Sequence, residues 1–322
     1  MDESIKEIIS QLLKRKNIAI TGHSNPDGDS LGAMQAFASF LRRMGLRVSI
    51  HQKDEIPENL SFLGTGIKKE EPPIFEKDAI IFMECFLPER SGYNLKNFNG
   101  VLTVNIDHHP DNKIWADLNL VDEGVSSVCE IIYKFFEISN LPLQKNEANA
   151  ILTGIYTDTG MFAQKNTTGE SLRISSKLIE CGADLSKIYE RVYGSNKPEK
   201  IKLLSETLRT IKVTSNIAFM HTDMEMFEKT GARYEDSKDF INFARDIKEV
   251  SVACYFREIS PNRIHINFRS RKKDLLPFVK KLGGGGHRLA CGVTLEGNFK
   301  QIFKLNKSCF TIIIFFSKLF FK

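Results

Sequence analysis

Six cysteines scattered over 322 residues, with no C-x-x-C pair among them, leave no basis for a disulfide framework or a thiolate metal site. Cys85, Cys129, Cys181, Cys254, Cys291 and Cys309 stand far apart, as free thiols in a reducing compartment do. An apolar leader is missing too. The opening "MDESIKEIISQLLKRKN" sets acids into an amphipathic pattern, so a cytoplasmic protein is expected. No run reaches the roughly 18–20 apolar residues of a spanning helix, which argues against a membrane protein. Nor is there a large excess of one charge. The 45 Lys and Arg against 40 Asp and Glu give +5, too little for the basic surface that coats a nucleic-acid duplex and compatible with a small anionic substrate. Internal repeats and low-complexity segments are absent, and the length exceeds most single cores, so two domains are expected.

Apolar residues Ile5, Ile8, Ile9, Leu12 and Leu13 recur at helical spacing, and "NIAIT" (17–21) then reads as a short buried strand. A polar turn, a helix over 30–45 ending at Gly45 and the strand "LRVSI" (46–50) follow. Strands are predicted at 78–83 and 101–106, and helices around 126–138, 146–157 and 168–180. This alternation predicts an α/β fold with a parallel sheet covered on both faces and ligands beyond the carboxyl ends of its strands. Further on, a helix near 199–211 leads to grouped strands at 216–221, 250–259 and 263–270, a helix at 274–281 and a glycine run. That grouping predicts a second, smaller α/β domain, with a cleft between the two. The expected division is 1–187, a linker at 188–200, and 201–322.

Charged residues cluster at the predicted strand ends. "GHSNPDGDS" (22–30) places His23, Asp27 and Asp29 in one turn after a strand. Carboxylates this close repel unless they are protonated, cap a helix or bind a cation, and Asp29 as a cap of the helix starting near Ser30 is the plain alternative. "NIDHHPDN" (105–112) sets Asp107, His108 and His109 after another strand, where adjacent imidazoles can converge on metal and substrate. "TGIYTDTGMF" (153–162) offers Asp158, and "MECFLPERSGY" (83–93) offers Glu84; alone, each is an ordinary cap or loop acid. Together His23, Asp27, Asp29, Glu84, His108 and Asp158 form a ligand set of oxygens with two imidazoles. Such a set suits manganese, with magnesium or cobalt as substitutes. It is too large for one ion that keeps water, and fits two ions about 3.5–4 Å apart, an arrangement suited to in-line attack on phosphorus.

"HSNPDGDS", "NIDHHP", "GIYTDTGMF" and "GGGGHRLACG", in that order over about 270 residues, resemble the successive motifs of the DHH phosphoesterases, in particular the nanoRNase (oligoribonuclease) and pAp-phosphatase subgroup. The resemblance implies a larger DHH domain holding two Mn(II) ions and a smaller DHH-associated domain that recognises substrate. It implies that His23 and Asp27 hold one ion, that Asp29, His108 and Asp158 hold the other, and that Glu84 bridges them. Asp107, His108 and His109 become the candidate catalytic residues, with Asp107 and His109 beside the ligands or facing substrate. Many members carry Asp where this chain has Glu84, and the extra methylene changes ion spacing or affinity.

In the second domain, four glycines ahead of His287 and Arg288 can lay successive N–H groups against an anion or serve as a flexible linker; the phosphate reading is preferred. The resemblance implies that Arg269 and His287 grip a substrate phosphate while Gly284, Gly285 and Gly286 approach its sugar or base. Arg271, Lys272 and Lys273 read mostly as a solvated basic face. The implied activity is Mn-dependent hydrolysis of short oligonucleotides, RNA rather than DNA, to 5′-mononucleotides, with removal of the 3′-phosphate of 3′-phosphoadenosine 5′-phosphate (pAp). Competing readings are hydrolysis of linear dinucleotides from cyclic-dinucleotide turnover, a RecJ-like single-strand exonuclease, and a non-catalytic nucleotide-binding regulator. A homodimer is compatible with the sequence. The apolar tail "CFTIIIFFSKLFF" (309–321) is atypical, and reads as a last packed element, an interface segment or a surface anchor.

Overall fold

The computed structural model describes residues 1–72, 76–93 and 98–297, so the apolar tail lies outside the described residues. The chain divides into two compact units, Met1–Ser195 and Asn196–Lys322. No helix among the described residues is long and apolar enough to cross a membrane.

The first unit opens with helix α1 (Asp2–Leu12), which buries Ile5, Ile8 and Leu12, and strand β1 (Asn17–Gly22). Helix α2 (Gly28–Arg43) follows, capped by the Asp27 carboxylate, which accepts from Ser30 N at 3.0 Å. Next come β2 (Arg47–His51), β3 (Ile67–Lys68), β4 (Ala79–Met83), β5 (Leu102–Asp107) and β6 (Leu118–Val121). Helices α3 (Val128–Ile138), α4 (Lys145–Asp158), α5 (Gly169–Glu180) and α6 (Leu185–Tyr189) complete the unit. Its six strands are all parallel, in the order β3-β2-β1-β4-β5-β6, so the chain reverses its direction of winding between β1 and β4. That crevice is where doubly wound sheets bind ligands.

Both faces of this sheet are covered, by different means. Helices α1 to α4 pack on one face, whereas Phe82, Cys85, Tyr93 and Val101, with Phe98 and Trp115 against them, form a separate small cluster on the other. The connections from β2 to β6 contain only short 3-10 turns among the described residues, and their aromatic side chains supply the cover. Part of the expected linker is also helical: α6 continues into a π-helical turn over Glu190–Gly194, and Ile188 and Val192 join the first core.

The second unit contains α7 (Pro198–Leu208), β7 (Lys212–Thr214), β8 (Ile217–Thr222), α8 (Met224–Thr230), α9 (Ile241–Arg245), β9 (Val252–Ser260), β10 (Arg263–Ser270), α10 (Leu276–Lys281), β11 (Gly285–His287) and β12 (Ala290–Glu296). Its mixed sheet runs β11-β12-β10-β9-β8-β7. Alternation in "RIHINFRS" buries Ile264, Ile266 and Phe268 against α10 and leaves the residues between them on the opposite face. The glycine run is not a loop. Gly285–His287 forms an edge strand paired antiparallel with β12, which directs alternate N–H groups to the neighbouring strand instead of fanning them at one anion. Packing explains two of the glycines: a Cβ at 284 would lie 2.4 Å from the Gly292 carbonyl oxygen, and Gly286 has φ +124°.

In the first unit, small residues let α2 and α4 approach closely. A Cβ at Gly32 would lie 2.4 Å from the Ala150 carbonyl oxygen. Glu147 on α4 is buried between Arg43, whose Nη1 lies 2.7 Å away, the Ser39 hydroxyl at 2.7 Å and the Gln144 N–H at 2.7 Å. Arg43→Ala removes the counterion and leaves the carboxylate buried. Urea unfolding is expected to show a loss of about 3 kcal/mol, most of which Arg43→Lys should avoid.

Candidate metal centre

Strand register alone brings three site segments together. Gly22 pairs with Met83, and Met83 with Ile106, so one step further along lie His23 and Glu84, just past β1 and β4, and Asp107, the last residue of β5. Helix α4, drawn close to α2, ends at Asp158. The Glu84 side chain lies at the centre. His23 Nε2 is 3.6 Å from Glu84 Oε2 and 3.6 Å from Asp27 Oδ2, and His108 Nε2 is 3.4 Å from Glu84 Oε1 and 3.9 Å from Asp158 Oδ2. Among the described residues, three groups have ligand atoms within 4.8 Å of one another: His23, Asp27 and Glu84; Asp29, His108 and Asp158; and Glu84, His108 and His109.

Local bonds aim these side chains. The Nδ1 of His23 lies 2.8 Å from the Ser24 carbonyl oxygen, which takes its N–H and leaves Nε2 as the ligand atom. Asp29 is not the helix cap that its position suggested; Asp27 fills that role. Asp29 is 1 % exposed, and its two oxygens accept from Val128 N at 2.6 Å and Cys129 N at 2.9 Å, at the start of α3. A Cβ on Gly154 would lie 2.8 Å from Asp29 Oδ1, so glycine there keeps the pocket open. Asp107 does not join any of the three groups. It accepts from the N–H groups of His108 and His109, from His109 Nδ1 at 2.8 Å and from Asn112 Nδ2, and so organises the turn that carries both imidazoles. Asn166, which sequence reasoning missed, donates to the Asp158 carbonyl oxygen at 3.1 Å; no motif marks it.

Electrostatics indicate what the pocket selects. Burial is the largest influence on His23 and favours its neutral form, yet Asp27 and Glu84 together push its pKa up to about 11. His108 is likewise raised to about 10 against burial, by Glu84 first and then Asp29. Asp158 is pushed up to about 7 by burial and the Glu84 charge, and Asp29 well above the usual carboxylate range by burial, Glu84 and Asp158. Glu84, despite its burial, is held below that range by the two imidazoles. Its Oε2 is buried with no hydrogen-bond partner. Acids that repel one another, imidazoles gathered among them and an orphaned carboxylate oxygen together fit a divalent cation, which neutralises the acids and takes the place of the imidazole protons.

Arg269, Gly284, Gly285, Gly286 and His287 belong to the second unit's sheet. Half-buried Arg269 donates from Nη1 to the Phe268 carbonyl oxygen at 3.1 Å, and a Cβ at Gly285 would meet open space. His287 sits at the end of β11.

Comparison with known proteins agrees with this architecture. Residues 17–155 match the DHH family N-terminal domain, and residues 216–311 match the DHHA1 domain. The chain is 28 % identical over 298 residues to the bifunctional oligoribonuclease and PAP phosphatase NrnA of Thermus thermophilus, covering 90 % of this chain and 88 % of that protein. An exopolyphosphatase-related protein from Bacteroides fragilis shares the fold with a TM-score of 0.88 at 24 % identity, over 96 % of this chain and 95 % of its own. RecJ of Thermus thermophilus in complex with Mn2+ superposes with a TM-score of 0.54 at 12 % identity, over 95 % of this chain and 53 % of its own.

Both site imidazoles have raised pKa values, and Asp29 and Asp158 are raised beside them, so an incoming cation must displace protons from its own ligands. Manganese titration calorimetry at pH 7.5, repeated in buffers of different ionisation enthalpy, is expected to show release of about two protons or more. Apparent affinity should rise with pH between 6 and 9. A pH-independent affinity would contradict the charge assignment.

Proposed function

The chain belongs to the DHH/DHHA1 phosphoesterase family and is a metal-dependent enzyme of it, and from that premise we propose that it hydrolyses short oligonucleotides to 5′-mononucleotides and removes the 3′-phosphate of pAp. The observation that carries this reading is the Glu84 carboxylate, whose two oxygens face two different imidazoles. That divides the ligands into two sets sharing one acid, as a two-ion phosphoesterase requires. Supporting the substrate class is the name of the Thermus thermophilus relative, an oligoribonuclease and PAP phosphatase.

In this reading His23 and Asp27 hold one Mn(II), Asp29, His108 and Asp158 hold the other, and Glu84 lies between. Two such ions, when bound, lower the pKa of water and neutralise phosphoryl charge. The remaining work falls to the chain. Asp107 holds the His109 ring by Nδ1 and raises its pKa, which leaves Nε2 of His109 as the nitrogen that meets an anionic substrate. Arg269 and His287 bind a substrate phosphate, and Gly284, Gly285 and Gly286 allow close approach of sugar or base.

Purified protein assayed with Mn(II) is expected to hydrolyse a dinucleotide faster than a 24-mer and to dephosphorylate pAp; chelator should abolish both. Faster cleavage of the 24-mer, or turnover of pGpG alone, would replace the proposed substrate class, and full activity in excess chelator would remove the two-ion reading.

Substitutions separate the roles. Glu84→Asp should keep activity, whereas Glu84→Ala should lower kcat by roughly two orders of magnitude or more and leave one ion per chain by elemental analysis. Two ions in the alanine variant would show that another residue bridges. Arg269→Ala should raise KM for the dinucleotide with little change in kcat.

A further inference from the structure

A cavity of about 270 Å³ opens in the first unit between the 3-10 turn Glu58–Leu63, the first half of α4, and α6 with its π-helical turn. Its floor is apolar: Leu63, Ala150 and Ile188 are buried there, and the half-buried Phe62 ring forms one side. It stands apart from the metal ligands. Lys145, on its rim, is the first residue of α4 and Asp158 the last, about 20 Å away along the helix axis. Hydrogen bonds from side chain to backbone fix the walls to one another. Asn149 Oδ1 accepts from the Asp184 N–H at 2.9 Å and its Nδ2 donates to the Lys145 carbonyl oxygen at 2.9 Å, which joins α4 to the start of α6. Asn59 Nδ2 donates to the Val192 carbonyl oxygen at 2.9 Å and joins the 3-10 turn to the π-helical turn, while Gln35 on α2 donates to the Leu63 carbonyl oxygen at 2.6 Å. A concavity held in this way need not be ordered when a ligand enters, and little affinity is lost to closing it.

The rim is positive. Lys145 reaches it from α4, Lys187 from α6 and Arg191 from the π-helical turn, a rare conformation found most often at functional sites. Among the described residues Asp184 is the one carboxylate of the lining, and its Oδ1 accepts from Lys187 N at 2.9 Å as the cap of α6. None of the three cations has an ion pair among the described residues, whereas Arg43 and Lys177 of the same unit each hold a glutamate. Arg191 is set in place all the same. Its guanidinium lies over the Phe62 ring, 4.9 Å from the centroid, so one face of the planar group is used and its N–H edges remain for a ligand. Surface cations ordinarily spread into solvent. Three that converge from separate elements on one apolar hollow are complementary to an anion with an apolar body.

We infer that this hollow is an anion site separate from the metal centre, taking an organic phosphate with a flat apolar body. The phosphate lies against Arg191, Lys187 and Lys145, and the body rests on Leu63, Ala150 and Ile188. The fork of Arg191 suits two phosphate oxygens at once, and the lysines add charge. Isothermal titration of the full chain carrying Arg269→Ala, in excess chelator, takes the metal centre and the proposed second-unit clamp out of play. Phenyl phosphate should bind roughly tenfold more tightly than inorganic phosphate because its ring is buried, and phenol should not bind measurably. Adding Arg191→Ala should weaken phenyl phosphate roughly tenfold and Lys187→Ala roughly threefold. Ala150→Leu fills the floor and should erase the advantage of phenyl phosphate over inorganic phosphate; the two exposed cations carry the test if the leucine variant folds poorly. AMP binding more tightly than phenyl phosphate, with the same dependence on Arg191, identifies a nucleotide as the occupant, and weaker AMP binding identifies a phosphate without a nucleoside. Binding of neither compound, or affinities unchanged in both cation variants, would overturn the site, and equal affinity for phenyl phosphate and inorganic phosphate would overturn the role of the floor. In an otherwise unaltered chain Arg191→Ala should leave manganese-dependent dinucleotide hydrolysis unchanged; its loss would overturn the separation from the metal centre. Absence of that hydrolysis in the parent chain would count against the proposed function alone.

Discussion

Everything at the first unit's rim depends on the mutual crowding of Glu84, the imidazoles of His23 and His108, and the acids Asp27, Asp29 and Asp158. These six residues come from three strand ends, the first turn of one helix and the last residue of another, separated by up to 135 positions in the chain. No local sequence preference holds them together. Strand register places His23 and Glu84 side by side, the glycine-lined approach of α2 to α4 delivers Asp158, and the start of α3 fixes Asp29. The cluster is a property of the assembled unit, since each carboxylate alone would be better solvated in water.

The second unit solves a related problem with opposite charge. There the buried groups are guanidiniums, and the compensating elements are aromatic rings and amide oxygens instead of acids. Rings stabilise a cation without neutralising it, so the field of Arg257 survives in the space above the sheet. An acid in place of Asn267 would cancel that field.

Much of this was legible in the sequence. Long apolar runs flanked by turn residues gave β1, β4 and β5, and because the acids and histidines follow immediately, the ligand candidates could be named before any register was known. The edge strands were harder. Ile67–Lys68 is two residues long, and Gly285–His287 has no β-forming signal of its own, so both exist only through their neighbours. What covers the second face was not legible, because alternation of strands with connections does not reveal whether a connection is helical. Arg257 went unnoticed for a different reason: in "CYFREIS" it reads as a solvated strand residue, and only tertiary packing under Tyr234 buries it. His265, Asn267 and Arg269 did leave a trace in the two-residue period of β10.

Glu84 has φ +55°, a left-handed backbone that costs a side-chain-bearing residue about 1 kcal/mol and glycine almost nothing. Its carboxylate is buried as well, yet the imidazoles of His23 and His108 hold it charged, so the expense lies in the backbone and not in the charge. A glycine at this position would relieve the strained backbone and at the same time leave both imidazoles without their shared partner. The corner therefore couples a local conformational cost to the electrostatic cohesion of three strand ends, and the one cannot be removed without loosening the other.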